Sequence, residues 1–154
     1  MKLSEHLELA EVIRSESAKR LGISNMPPEE HINNLKKLAE NVFEPIRMNF
    51  RQPIRISSGY RSQSLNKAIG GATNSQHSIG EAIDIDMEGT QLSNKEIFNF
   101  IRNKLNFDQL IYEFGNNNEP DWVHVSYKAN GQQRKQVLKA IKEQGKTKYI
   151  PYAD

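Results

Sequence analysis

The sequence predicts an α+β fold in which N-terminal helices pack on a mainly antiparallel sheet. Apolar residues recur at helical spacing in the first third of the chain, most clearly at Ile32, Leu35, Leu38 and Val42. The rest alternates between short strand-like segments and short helices on short connections. Helices followed mostly by strands are typical of α+β proteins.

The composition excludes several classes of protein. The 154 residues suit one domain, and we expect residues 1–154 to form it. Cysteine is absent, which excludes disulfides, thiolate metal sites and cysteine nucleophiles. A net charge of +2 is too balanced for a protein whose main role is to bind nucleic acid. No apolar run could span a membrane, and no signal peptide is visible at the N-terminus.

The first fifty residues predict three helical segments. Residues 4–13 form a short amphipathic stretch, and residues 15–21 form another that Gly22 ends. Two prolines followed by Glu29 and Glu30 are typical of a helix start, because proline and acids are favoured in the first turn. Pro45 lies inside this third pattern and should kink or end the helix.

The rest of the chain predicts the sheet. Strands are expected at residues 54–57, 81–87, 109–114 and 122–127, and short helices at 61–69 and after residue 93. Ser93 and Glu96 have the spacing of a capping box, which predicts the start of the second helix. Residues 135–150 fit either a helix or a strand pair, and Gly145 near the middle favours a hairpin.

Two of the four histidines are candidates for chemistry. His77 lies in a polar loop that Gly80 closes, Asp84 follows on one face of a strand, and His124 lies in the middle of a later strand. Two imidazoles and a carboxylate leave a coordination position open, as catalytic zinc sites do. The His-Glu-x-x-His signature of helical metalloproteases is absent. From spacing alone, Asp84 could equally line the solvated face of an antiparallel sheet.

Three segments carry a family resemblance. Residues 75–84 (SQHSIGEAID) resemble the S-x-H-x-x-G-x-A-x-D signature of zinc D-alanyl-D-alanine peptidases. Residues 121–124 (DWVH) resemble the second signature of that family, and residues 57–62 (SSGYRS) resemble its upstream S-G-Y-R-S segment. The chain thus resembles, over nearly its whole length, the carboxypeptidase-type peptidoglycan peptidases, which are related to D-Ala-D-Ala dipeptidases and phage L-alanyl-D-glutamate endopeptidases of the hedgehog/lysostaphin-type metal fold.

This resemblance implies roles for individual residues. It implies one zinc ion per chain on the sheet, bound by His77, Asp84 and His124. It assigns general acid/base catalysis to Asp121 and a substrate or oxyanion contact to Arg61. It also implies that Ser75 contacts the substrate backbone and that Trp122 forms an aromatic platform beside the site. Strand alternation, however, puts Asp121 on the face opposite His124. Glu119 is the nearest rival for the acid/base role, and Glu113 lies farther away on the preceding strand.

The resemblance also implies a function. We expect hydrolysis of peptide bonds that involve D-amino acids in peptidoglycan stem peptides. The leading hypothesis is an enzyme like a D-Ala-D-Ala carboxypeptidase. A phage-type L-Ala-D-Glu endopeptidase and a non-catalytic, zinc-containing wall-binding module are the alternatives. An iron oxygenase also uses two histidines and a carboxylate, but its usual ligand spacing is shorter. We expect a monomer that acts on the cell wall. The sequence does not determine its localisation, and both phage or prophage release and non-classical export are compatible with it.

Overall fold

The computed structural model describes residues 1–153 and confirms the α+β class. Six α-helices are present in this range: α1 (Leu9–Ile13), α2 (Glu16–Leu21), α3 (Glu29–Leu38), α4 (Glu44–Phe50), α5 (Gln63–Ala68) and α6 (Asn94–Lys104). The strands are β1 (Lys2–Ser4), β2 (Leu7–Glu8), β3 (Ile56–Ser58), β4 (Ala82–Ile85), β5 (Gln109–Glu113), β6 (Trp122–Ser126), β7 (Gln136–Glu143) and β8 (Lys146–Pro151). No helix within the described range is both long and apolar enough to cross a membrane.

The six later strands form one sheet in the order β3-β4-β6-β5-β7-β8. All neighbouring strands are antiparallel except β5 and β7, which run parallel. Alternate residues of the central strands point to a core that they share with α1, α3, α4 and α6; the buried strand residues are Ile83, Ile85, Leu110, Tyr112, Val123 and Val125. The other face of the central strands carries polar side chains, which can form a functional site.

The prediction of a helix over residues 4–13 is wrong for its first half. Residues 2–8 form the small antiparallel pair β1–β2, and α1 begins only at Leu9. The Ser4 hydroxyl and the His6 backbone N–H both donate to the Glu44 carboxylate on α4, at 2.5 and 2.9 Å. This contact joins residues about forty positions apart, so the local apolar pattern could not reveal it.

Pro45 does not end the third helical segment. A π-helical turn at Ala39–Phe43 joins α3 to α4, and Pro45 lies in the first turn of α4. Proline is tolerated in a first turn because the N–H that it lacks has no helical partner there. The irregularity in this helical segment is the π turn, which ends two residues before Pro45.

The C-terminal hairpin is confirmed. β7 and β8 pair from Leu138 opposite Pro151 to Glu143 opposite Lys146, and Gln144 and Gly145 form the turn with positive φ angles of 52° and 76°. Because β7 also pairs with β5, the hairpin continues the main sheet.

A buried ion pair between Asp108 and Arg134 stabilises the start of this hairpin. Asp108 is 1% exposed and accepts three hydrogen bonds from Arg134: one from the backbone N–H and two from the guanidinium, at 2.8–3.1 Å. Burial works against ionisation of Asp108, but the bonds from Arg134 outweigh it and lower the pKa of the carboxyl group.

Replacing Asp108 by asparagine should destabilise the protein by about 2 kcal/mol at pH 7, since charge-assisted bonds are lost. The folded pKa of Asp108 is lowered, so its contribution is full above the ordinary pKa of about 4 and is lost as the pH falls through the folded value. Urea unfolding of parent and Asp108→Asn should therefore differ at pH 7 and converge in acid. Glu143→Gln, which removes an exposed ion pair, is the control and should change little. A difference that stays constant into acid would contradict this account.

Candidate active site

The polar face of the sheet brings the predicted metal ligands together. Asp84 on β4 lies directly opposite His124 on β6, so both side chains leave the same face. His77 comes from a single 3₁₀ turn, Gln76–Ile79, just before β4. The Nε2 atom of His77 lies 3.4 Å, and the Nδ1 atom of His124 lies 3.0 Å, from Asp84 Oδ1. One ligand atom from each of the three residues lies within 4.8 Å of the others.

The charge of this cluster suits a cation. Burial works against ionisation of Asp84, but the imidazoles of His77 and His124 outweigh it and hold the pKa of the carboxyl group below its usual range. Asp84 is therefore an anion at neutral pH. A carboxylate with two imidazole nitrogens is a donor set that zinc and related divalent metals accept.

In each imidazole, the outer nitrogen, which faces away from Asp84, already has a hydrogen-bond acceptor. His77 Nδ1 lies 2.7 Å from the Gly59 carbonyl oxygen, and His124 Nε2 lies 2.8 Å from Gln76 Oε1. With a metal bound, each outer nitrogen would donate its proton to this acceptor, which leaves the lone pair of the inner nitrogen for the metal, as metal-ligating histidines require. The residues present therefore fit a bound divalent metal. Sequence reasoning missed Gln76, whose position beside His77 was the available signal.

Two glycines allow the chain to pass through the site. A Cβ atom on Gly59 would lie 2.4 Å from the Val12 carbonyl oxygen, so only glycine brings this acceptor to His77. Gly80 has a φ of +78°, and a Cβ there would lie 2.6 Å from the His31 carbonyl oxygen. Close backbone packing thus sets the positions of the ligand loop.

A cavity of about 620 Å³ surrounds the three ligands, and three other predicted residues line it: Arg61, Ser75 and Trp122. The backbone N–H of Arg61 donates to the carbonyl of His77 at 3.1 Å. The Nε atom of Arg61 is buried, and among residues 1–153 it has no hydrogen-bond partner. The Ser75 hydroxyl accepts from the His77 N–H at 3.2 Å, and the Trp122 ring packs 5.5 Å from Phe114.

Glu113 is a further acid in this cavity. It pairs directly with Trp122 across β5 and β6. This pair lies two residues along the strands from the pair of Ile111 and His124, and therefore on the same face of the sheet. Glu113 is 6% exposed, and burial raises its pKa to about 7, with the charge of His124 lowering the pKa and that of Asp84 raising it. The alternation along residues 109–114 was the signal for its orientation, but the register of β5 against β6 was needed to place it beside His124.

The other two candidate acids lie elsewhere. Asp121 is exposed and lines a separate cavity of about 420 Å³ beside the loop at residues 86–93, whereas the metal-ligand residues line the first cavity. Glu119 caps α6, where its carboxylate accepts from the backbone N–H groups of Asn94 and Lys95 at 3.0 and 2.8 Å. The structure therefore brings Glu113, and neither of these acids, together with His77, Asp84 and His124.

Comparison with known families identifies the family of this chain. A family model described as Peptidase M15 matches residues 5–126, which include all three candidate ligands and Glu113. The chain belongs to the peptidase M15 family. The curated proteins contain no significant match to the sequence. Members of the M15 family are metal-dependent peptidases, and the His77–Asp84–His124 cluster of this M15 chain is its candidate metal site.

Proposed function

We propose that this M15 chain is a zinc-dependent peptidase that hydrolyses bonds involving D-amino acids in peptidoglycan stem peptides, as a D-Ala-D-Ala carboxypeptidase does. The observation that carries this proposal is one cavity that contains three metal-ligand side chains and a buried glutamate. In it, His77, Asp84 and His124 hold the ion. When bound, zinc would supply Lewis-acid activation of a water molecule and of the scissile carbonyl group.

Glu113 is the proton carrier in this proposal. Its carboxylate takes a proton from the attacking water and returns it to the nitrogen of the leaving amine as the C–N bond breaks. Burial and a pKa near neutrality suit a group that must both accept and donate a proton. Asp121, which the sequence resemblance put in this role, is exposed and lines the separate cavity.

Arg61, which lines the same cavity as Glu113, binds the substrate. Its buried Nε has no protein partner within residues 1–153, so a substrate oxygen would satisfy it. A guanidinium can hold either a terminal carboxylate or a developing oxyanion. Ser75 and Trp122, which line the same cavity, provide a polar and an aromatic contact for the peptide.

A second candidate is cleavage of an internal bond, such as L-Ala-D-Glu. The cavity extends to both sides of the ligands, toward Arg61 and Asn74 on one side and toward Leu138 and Tyr149 on the other. Such a groove could hold substrate residues on both sides of the cut. The buried acid argues against a non-catalytic wall-binding module, and membership of a peptidase family argues against an oxygenase.

Digestion of purified muropeptides by the zinc-loaded protein tests this proposal. Mass spectrometry should show new termini at one type of bond. Loss of a terminal D-alanine would identify a carboxypeptidase, and separation of L-alanine from D-glutamate would identify an endopeptidase. Chelated protein is the control and should leave the muropeptides intact. Zinc-loaded protein that binds muropeptides without cutting them would overturn the peptidase in favour of the binding module.

A further inference from the structure

The C-terminal hairpin forms one wall of the catalytic cavity. β7 and β8 lie beyond residue 126, where the family match ends. Glu113 on β5 pairs with Ala140 on β7, and Ala140 pairs with Tyr149 on β8, so the three side chains leave the same face in one row. Ala140 between them is small, and both Glu113 and Tyr149 line the cavity. The hairpin therefore extends the catalytic face by two strands.

Hydrogen-bond donors cluster on this wall. Lys142 pairs with Thr147 across the hairpin, and both line the cavity together with Tyr149. The Lys142 ammonium donates to the Thr147 hydroxyl at 3.1 Å and lies 5.3 Å from the centre of the Phe114 ring. The side of the cavity formed by the hairpin thus presents an ammonium group and two hydroxyl groups beside an aromatic ring.

Lys142 and Tyr149 have donor capacity left for a ligand, because the ammonium has three donors and only one of them is directed at Thr147. Within residues 1–153, Lys142 forms no ion pair, whereas Lys148 of the same hairpin pairs with Glu143 at 3.3 Å. The phenol oxygen of Tyr149 has no hydrogen-bond partner in that range. Burial raises the pKa of Tyr149, and the negative charges of Glu113 and Asp84 raise it further, so the phenol remains a donor.

We propose that Lys142, Thr147 and Tyr149 form a subsite for a free carboxylate of the substrate peptide. The proposal rests on the peptidase function proposed above and names the acidic peptides that this site would prefer. Across the sheet, β7 lies two strands from His124 on β6, about 10 Å at the usual strand spacing. Along β7, Lys142 lies four residues, about 13 Å, beyond Leu138, which aligns with His124 through Ile111. An extended peptide rises about 3.3 Å per residue, so the carboxylate lies at least three residues from the bond that is cut.

The test uses pairs of synthetic stem peptides. In each pair, the D-glutamate and diaminopimelate carboxylates are either free or converted to carboxamides. The zinc-loaded parent should prefer the acidic form by about tenfold, mainly through a lower KM, because one charge-assisted contact distinguishes the forms. The preference should weaken with added salt, since Lys142 is exposed.

Lys142→Met should abolish the preference by raising KM for the acidic peptide to the value for the amidated one. Tyr149→Phe, which keeps the ring and removes the hydroxyl, should reduce the preference. Lys146→Met is the matched control, because it removes the same charge from the same hairpin but from outside the cavity. It should retain the preference of the parent.

An acid-to-amide ratio that is the same in Lys142→Met and the parent would overturn the subsite and leave the peptidase intact. If the parent cuts neither form, the peptidase function itself fails. Calorimetric binding of the same peptide pairs to parent and Lys142→Met then decides the subsite, and equal affinities would overturn it.

Discussion

Glu113→Gln should lower the rate of muropeptide hydrolysis by 10²–10⁴-fold, which corresponds to roughly 3–5 kcal/mol of activation free energy. The substitution keeps the shape of the side chain and removes the proton acceptor. The metal ligands remain, so zinc content should equal that of the parent. Single-turnover rates and metal analysis of the same preparations measure both quantities.

Asp121→Asn is the matched control for this experiment. It makes the same type of change at the acid that the sequence resemblance selected, and that acid lies on the second cavity. We expect it to keep most of the parent activity. Glu119→Gln should lower stability rather than the rate constant, because Glu119 caps α6. Full activity in Glu113→Gln together with a large loss in Asp121→Asn would return the acid/base role to Asp121.

Asp84→Asn should weaken zinc binding by more than about 100-fold, since even the partners that orient metal ligands contribute 10–100-fold. Asparagine keeps the size of the side chain, but it removes the negative charge between His77 and His124. Zinc at about a thousand times its dissociation constant for the parent should stabilise the parent by about 4 kcal/mol, and at the same concentration this stabilisation should fall to about 1.4 kcal/mol or less in the variant. Calorimetric titration and thermal unfolding with and without zinc measure the two effects.

Asp86→Asn is the control for metal binding. Asp86 lies two residues farther along the chain and accepts hydrogen bonds from the Glu88 backbone and the Asn94 side chain, outside the ligand cluster. The Asp86→Asn variant should bind zinc as the parent does. Parent affinity in Asp84→Asn, or no zinc binding by the parent, would refute the proposed metal site.

The sequence by itself determined the class of the fold, the candidate ligands and the C-terminal hairpin. These features depend on local signals: apolar periodicity, the capping box at Ser93, the turn at Gly145, and two short signatures around His77 and His124. Each signal occupies about ten residues or fewer, within which the chain's own geometry limits the possible conformations.

Only the tertiary structure decided which acid faces the metal ligands and what forms the far wall of the cavity. The family resemblance favoured Asp121, but the pairing of β5 with β6 puts Glu113 beside Trp122 on the face that carries His124. The parallel pairing of β5 with β7 likewise brings Tyr149 into the row of Glu113. Strand order and register depend on contacts between distant segments, and a shift of one residue would turn each side chain to the opposite face. No local pattern contains that information.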